Sequence, residues 1–401
     1  MMDILSRFIN YVKIDTRSVE NSKTIPSTPT QLDLIDLLDS ELKGMGINTK
    51  RTDKGILYAK LESNSRDKRK IGFIAHVDTA PDVSGFMVKP QIIENYNGEV
   101  LKLKDNIVLD RNALPSLNRA IGKTLITTDG TTLLGGDDKA GVADIMDMLE
   151  YYVSTNEAHC TIYVSFTPDE EIGGVMPYFD LDYFDCDFAY TVDGGEPNTI
   201  SYDNFNAVSA VVDIKGLDIH PGTAKGKMIN ASLVGMEFQS LLPVFDNPMY
   251  TEKHEGFNHL VHFLGETGEA RLVYIIRNHD KNLIIKQKND FCNARDFLNK
   301  KYGYEIVSLA FTDGYKNMKE IISKDMTPVN TAVDAIKASG FEPFFEVTRG
   351  GTDGATLTNM GLSCPNLGTG SYNHHGQYEI AILEEMMEVS LILKNIVRVN
   401  N

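Results

Sequence analysis

Continuous apolar runs recur along the chain at residues 70–77, 160–166 and 188–192, each broken off by a polar or acidic residue. Runs without polar alternation predict central strands covered on both faces, the habit of a parallel sheet. Around them, apolar residues at helical spacing predict helices over 1–12, 30–45 and 139–152, the second ended by Gly46. A further strand is predicted over 55–61. Residues 84–119 read as an ordered excursion of short strands and turns, to which no chemistry is assigned.

Beyond about Asn206 the texture changes. Residues 207–216 alternate like a strand with one open face, and 228–242 read as a helix. A strand over 270–277, a long charged helix over 280–302 and a strand over 304–313 follow. From about Met326 the α/β pattern returns, with helices over 330–339 and 383–397 and a strand over 364–368. The expectation is a discontinuous catalytic domain, 1–206 and 320–401, interrupted by an inserted α+β domain over 207–319.

Composition narrows the classes. The 401 residues exceed one ordinary core, and a hydrophobic content of 42% with 24% charged residues is that of a globular protein. Lys plus Arg number 39 against 56 Asp plus Glu, a formal charge of −17, which disfavours nucleic acid or an anionic membrane as partner. Cys160, Cys186, Cys292 and Cys364 are scattered singly, with neither zinc-knuckle nor disulfide spacing. The N-terminal segment lacks the apolar core of a signal peptide, and no window approaches the ~20 apolar residues of a membrane helix. A cytoplasmic location is expected.

The ends of the apolar runs carry the candidate chemistry. His76 and Asp78, two apart, leave the same face of an extended chain, where they could share a metal or pair with each other. Asp137 and Asp138 follow glycines at a helix start, where the macrodipole favours anions and where they could equally be caps. Asp169-Glu170-Glu171 and Asp193 end two further runs. A single acidic turn has no need of chemistry. Four strand ends, each delivering His, Asp or Glu to one edge of an open sheet, are harder to explain without it. Carboxylates with one or two imidazoles and no thiolate suit zinc, cobalt or manganese. Two such ions sharing a carboxylate can activate water, and a neighbouring carboxylate can serve as general base.

The runs His76-Val77-Asp78-Thr79-Ala80-Pro81-Asp82, Gly136-Asp137-Asp138-Lys139-Ala140-Gly141, Pro168-Asp169-Glu170-Glu171-Ile172-Gly173, Thr191-Val192-Asp193-Gly194-Gly195 and Tyr372-Asn373-His374-His375-Gly376 resemble, in order, the motifs of the di-zinc aminoacylase and carboxypeptidase G-like metallopeptidases. Asp218-Ile219-His220-Pro221-Gly222 and Arg349-Gly350-Gly351-Thr352-Asp353-Gly354 are similar to its tripeptide-aminopeptidase branch. The resemblance covers essentially the whole chain. It implies a zinc-exopeptidase-like mixed sheet flanked by helices, with the insert as a lid and dimerisation domain.

Position by position, the resemblance implies two Zn2+ per subunit. His76 and Asp193 would bind one, Glu171 and His375 the other, and Asp137 would bridge. Glu170 would be the general base, and Asp78 would orient His76 rather than bind metal. The family position before the second histidine is often aromatic, whereas this chain has His374; His375 is taken as the ligand because it directly precedes Gly376. His220 would hold the oxyanion, with a partner subunit as one source of it, although a His before Pro-Gly also suits a turn. Arg349 and Arg277 would clamp a substrate carboxylate, and Asn230 would contact substrate; a salt bridge for Arg277 and a helix start for Asn230 are the plainer alternatives. The implied reaction releases the N-terminal residue of tripeptides. The alternatives are a deacylase or dipeptidase on the same metals and a metal-binding relative without catalysis.

Overall fold

A computed structural model describes residues 2–399 of the chain, which divide into two compact units. The first comprises residues up to 202 together with 320–346 and 352 onward; the second comprises 203–319 and 347–351. The short segment 347–351 thus groups with the second unit, although it follows the return of the α/β pattern.

The first unit is a mixed α/β structure built on an eight-stranded sheet. Its strand order is Asn48–Arg51, Leu57–Leu61, Thr161–Thr167, Lys70–His76, Phe188–Gly194, Asn366–Gly368, Thr199–Asn204 and Phe344–Thr348. Thr161–Thr167, Lys70–His76, Phe188–Gly194 and Asn366–Gly368 run parallel, so their C-terminal ends share one edge. In register, His76 lies opposite Thr167 and Ile74 opposite Thr191. That register places three of the sequence's polar run-ends side by side. The helix Gly136–Thr155 packs against the sheet, and Ile4–Val12 and Leu383–Val397 pack on it and on each other. Burial of these strands on both faces explains their lack of alternation.

A second sheet in this unit orders Ser371–Tyr372, Ile380–Ile382, Leu125–Thr127 and Gln91–Ile93, all antiparallel. The excursion 84–119 therefore contributes one of its edge strands. Its small core includes Tyr96, Leu109, Leu117, Leu125, Ile380 and Ile382. Its strands Leu125–Thr127 and Ser371–Tyr372 precede the stretches that carry Asp137 and His375, so it fixes where both begin.

The second unit is a four-stranded antiparallel sheet, Phe257–Gly265, Glu269–Asn278, Asn206–Lys215 and Val307–Asp313, with the helices Ala231–Ser240 and Lys281–Tyr302 against it. Val208, Ala210, Val212 and Ile214 alternate into its core and meet Phe238, Tyr274 and Phe291. Phe291 contacts Tyr274 edge-on at 4.9 Å between ring centroids.

Gly141 shows how tightly the first unit is drawn around the strand ends. A Cβ built there would lie 2.0 Å from the carbonyl oxygen of Val192 and 2.5 Å from Asp138 Oδ1. Only glycine lets the helix approach the strand that carries Asp193. Gly141→Ala is expected to lower stability by about 1–3 kcal/mol, because a packed interior yields little to an added methyl. Chemical denaturation measures it, and a variant as stable as the parent would contradict this packing.

Candidate metal centre

The side chains of the centre come from strand ends, a helix start and the turns that follow strands. His76 is the last residue of its strand and is buried. Its Nε2 lies 2.9 Å from Asp137 Oδ1 and 3.6 Å from Asp193 Oδ1. Its Nδ1 lies 3.1 Å from the Asp78 carbonyl oxygen and 3.3 Å from Asp78 Oδ1, which orients the ring. Asp137 sits in the first turn of Gly136–Thr155 with non-helical backbone angles, so its carboxylate leaves the helix and faces the sheet edge. While Oδ1 of Asp137 faces His76, its Oδ2 lies 3.3 Å from His375 Nε2 and 3.4 Å from His374 Nδ1. The same His375 Nε2 is 3.0 Å from Glu171 Oε2.

This geometry separates the adjacent histidines. His375 meets both Asp137 and Glu171, whereas His374 spans Asp137 and the Ser371 hydroxyl, 3.0 Å from its Nε2. His375 and not His374 thus faces Glu171.

The donors fit divalent metal. Ligand atoms of His76, Asp137 and Glu171 lie within 4.8 Å of one another, as do those of His76, Glu170 and Asp193. Oε1 of Glu171 is buried without a hydrogen-bond partner, a cost that a cation at this position would relieve. Oxygen donors with imidazole suit zinc, cobalt or manganese.

Electrostatics shows the crowding. Burial pushes the Asp193 carboxyl up to about 6, with the charge of Asp137 adding to it and His76 opposing. Burial also raises Glu170 well above the carboxylate range, reinforced by Asp353, and raises Glu171 against its hydrogen bond with His375. Burial opposes ionisation of Asp137 as well, but His374, His375 and His76 outweigh it and hold that carboxyl well below its ordinary value. Hydrogen bonds to Asp137 and then Glu171 push His375 up to about 11. Protons here occupy positions that metal could take.

The turn carrying Glu170 and Glu171 is held from two sides. Asp78 accepts the backbone N–H of Glu170 at 3.0 Å and of Glu171 at 3.2 Å. Asp169, with φ of 59°, accepts from the Ser27 N–H at 2.7 Å, the Ser27 hydroxyl at 2.5 Å and Gln31 Nε2 at 2.7 Å. Its own N–H returns a bond to Gln31 Oε1. Such a lattice pins a left-handed backbone that a non-glycine residue rarely adopts.

Three further carboxylates stand at the centre: Asp138, which the sequence offers only as part of a helix-start pair, and Asp353 and Glu379, to which it assigns no role. Asp353 begins the helix Asp353–Met360, which is capped by Thr352. Burial pushes the Asp353 carboxyl up to about 7, and Thr167 Oγ1 donates to it at 3.4 Å. Asp138 is fully buried and accepts the His76 N–H at 3.1 Å. Glu379 is buried behind Asp137. Asp138 and Asp353 stood inside quoted motifs, which was a signal; nothing local distinguished Glu379.

His220, Asn230, Arg277 and Arg349 lie in the second unit. His220 is exposed and caps a short turn, its Nδ1 accepting the Gly222 N–H at 3.1 Å. Asn230 caps Ala231–Ser240 through the Leu233 N–H. Arg277 Nη1 donates to the carbonyls of Ile276 and Val208, and its guanidinium lies 5.3 Å from the Tyr315 ring centre. Arg349 donates through Nη1 to the carbonyls of Lys253 and Glu255 and through Nη2 to Thr251, stacked 5.0 Å from the Phe205 ring centre.

Residues 130–396 match Peptidase family M20/M25/M40, and the chain belongs to that family. Over its whole length it is similar to peptidases T: one from Caldanaerobacter subterraneus subsp. tengcongensis is 48% identical, covering 99% of this chain and 98% of that one. Another, from Clostridium perfringens, is 48% identical and covers 100% and 99%. In fold it is similar to the crystal structure of aminopeptidase PepT from Bacillus cereus, with a TM-score of 0.79, 19% identity, and 98% and 97% coverage.

Removing the anchor of the acidic turn tests its importance. Asp169→Ala strands the Ser27 and Gln31 donors and is expected to cost about 2–3 kcal/mol in urea unfolding. A change under about 0.5 kcal/mol would mean that the turn holds without it.

Proposed function

We propose that this chain is a metal-dependent aminopeptidase that releases the N-terminal residue of tripeptides. The observation that carries this reading is the placement of Asp137, whose two carboxylate oxygens face His76 and His375 separately. That is the disposition of a carboxylate shared between two ions. In this reading His76 and Asp193 hold one Zn2+, Glu171 and His375 the other, and Asp137 both. Zinc bound there would supply a Lewis acid for the scissile carbonyl and would lower the pKa of water.

The remaining work falls to the chain. Asp78 orients His76 and, through the N–H groups it accepts, fixes Glu170 at the same edge. Glu170 takes the proton of the attacking water and delivers it to the leaving amine; burial, which raises its proton affinity, suits it to both steps. The peptidase T names of the full-length relatives support the tripeptide assignment.

In the second unit, His220 is the oxyanion donor, Asn230 a substrate contact, and Arg277 and Arg349 are carboxylate clamps. Arg349 has five N–H groups; the bonds to Lys253, Glu255 and Thr251 occupy three, leaving Nε–H and one Nη2–H for a carboxylate. No helix among the described residues is long and apolar enough to cross a membrane. The four cysteines are free thiols, which supports a reducing, cytoplasmic setting.

The second unit is also read as a lid and dimerisation domain. Its edge strand Phe257–Gly265 exposes Val261, Phe263 and Leu264, and the helix Ala231–Ser240 exposes Leu233 at 61% and Met236 at 58%. An unpaired edge beside an apolar helix face favours a second copy of the chain. Sedimentation velocity is expected to give a dimer for the parent and a monomer for Leu264→Asp; a monomeric parent would remove this reading.

Activity is tested on a free tripeptide and its N-acetylated form. The free peptide should be cleaved, the acetylated one spared, and chelator should abolish cleavage until zinc is restored. Glu170→Gln should lower kcat about 10²–10⁴-fold with metal content unchanged. Cleavage of the acetylated peptide at an equal rate would instead indicate the deacylase.

A further inference from the structure

Glu379 is 1% exposed and every hydrogen bond its carboxylate makes is to backbone. Oε2 accepts the N–H of Leu134 at 2.8 Å and of Gly135 at 2.7 Å, and Oε1 accepts the N–H of Asp137 at 2.9 Å. One side chain thus closes the turn that delivers Asp137 to the centre. Gly135 holds a left-handed φ of 82° there, and a Cβ on Gly136 would come 3.0 Å from Ser371 Cβ and 3.3 Å from Glu379 Oε1. The fit leaves no room for the turn to shift toward Glu379.

The position of Glu379 in the chain gives the clamp its second end. It closes the stretch that carries His374 and His375 and directly precedes Ile380–Ile382, which pairs with Leu125–Thr127. Its own carbonyl accepts from Thr127 Oγ1 at 3.2 Å. The backbone of Glu379 is therefore fastened to the second sheet, while its carboxylate is fastened to the turn of Asp137. Lys139, buried two residues beyond Asp137 with Nζ 2.8 Å from the Ile14 carbonyl, supplies neighbouring positive charge.

We infer that Glu379 is the positioning residue of the metal centre, setting the distance between Asp137 and His375 and thereby the affinity for metal. The inference rests on the reading of Asp137 as a shared ligand. An anion satisfied by three N–H groups has little capacity left to bind a cation itself, so Glu379 acts through Asp137. The isosteric amide cannot replace it, because one end of a glutamine would turn an NH2 toward N–H groups that need an acceptor.

The experiment measures zinc affinity of purified Glu379→Gln, Glu379→Asp and Asp137→Asn by competition with a chromophoric chelator, alongside thermal unfolding of each metal-free protein. Glu379→Gln is expected to bind zinc about 10–100-fold more weakly, the effect of losing a residue that orients a ligand. Its metal-free melting temperature should stay close to the parent's, with kcat recovering at saturating zinc and KM unmoved. Glu379→Asp, which keeps the charge but retracts it, should fall between. Parental zinc affinity in Glu379→Gln overturns the inference, as does a metal-free melting temperature that falls enough to explain the weaker binding. Asp137→Asn separates the two readings: if it binds zinc like the parent, the shared-ligand reading has failed; if it loses zinc while Glu379→Gln does not, only the positioning role has.

Discussion

The constraint on which this molecule depends is the mutual repulsion of carboxylates gathered at one sheet edge. Asp137, Glu170, Glu171, Asp193 and Asp353 converge on His76, which is itself buried. Two unit charges 4 Å apart cost about 4 kcal/mol at the effective dielectric of a protein surface, and burial adds to this. No fold would assemble such a cluster for stability alone. The cost must be met by cations, by protons or by fixed dipoles, and the N–H groups of the surrounding turns go to Asp78, Asp169 and Glu379 rather than to this cluster.

The provision is mechanical as much as electrostatic. The parallel strands end in register, so His76 and Asp193 arrive from a framework that cannot slide without flipping side chains to the other face. Gly141 brings the helix onto the strand leading to Asp193. Asp169 is tied through Ser27 and Gln31 to the start of the helix Gln31–Gly44, which makes an N-terminal segment part of the support for a turn about 140 residues away in sequence. Rigidity of this kind keeps like charges close enough to act together.

Much of this was legible in the sequence, for a physical reason. Strands buried on both faces need continuous apolar runs, so a His or Asp that ends such a run is conspicuous; His76, Asp193 and the acidic turn stood out on that basis, and Asp137 by its place after glycines at a helix start. What escaped was either weakly patterned or non-local. Asn48–Arg51 is a mostly exposed edge strand with no apolar run, and Phe257–Gly265 leaves one end of the second unit's sheet exposed. The helix Asp353–Met360 is short and has Gly354 in its first turn, so its sequence carries little helical signal. Glu379 could not be found locally, because its partners lie some 240 residues earlier and are backbone groups, which no side-chain motif records.

The acidic residues of the centre also divide by what they face. Asp78, Asp169 and Glu379 have their oxygens on N–H, hydroxyl or amide donors of the protein. With those bonds made, each has little lone-pair capacity left to hold metal. Glu171 keeps one oxygen buried and unpartnered, and the oxygens of Asp137 face the imidazoles of His76, His374 and His375. Donor satisfaction, rather than proximity, therefore separates carboxylates that build the site from those that can bind within it. The same distinction explains why Asp78, which shares a strand-end face with His76, orients its neighbour: its carboxylate oxygens are already engaged by the N–H groups of Glu170 and Glu171.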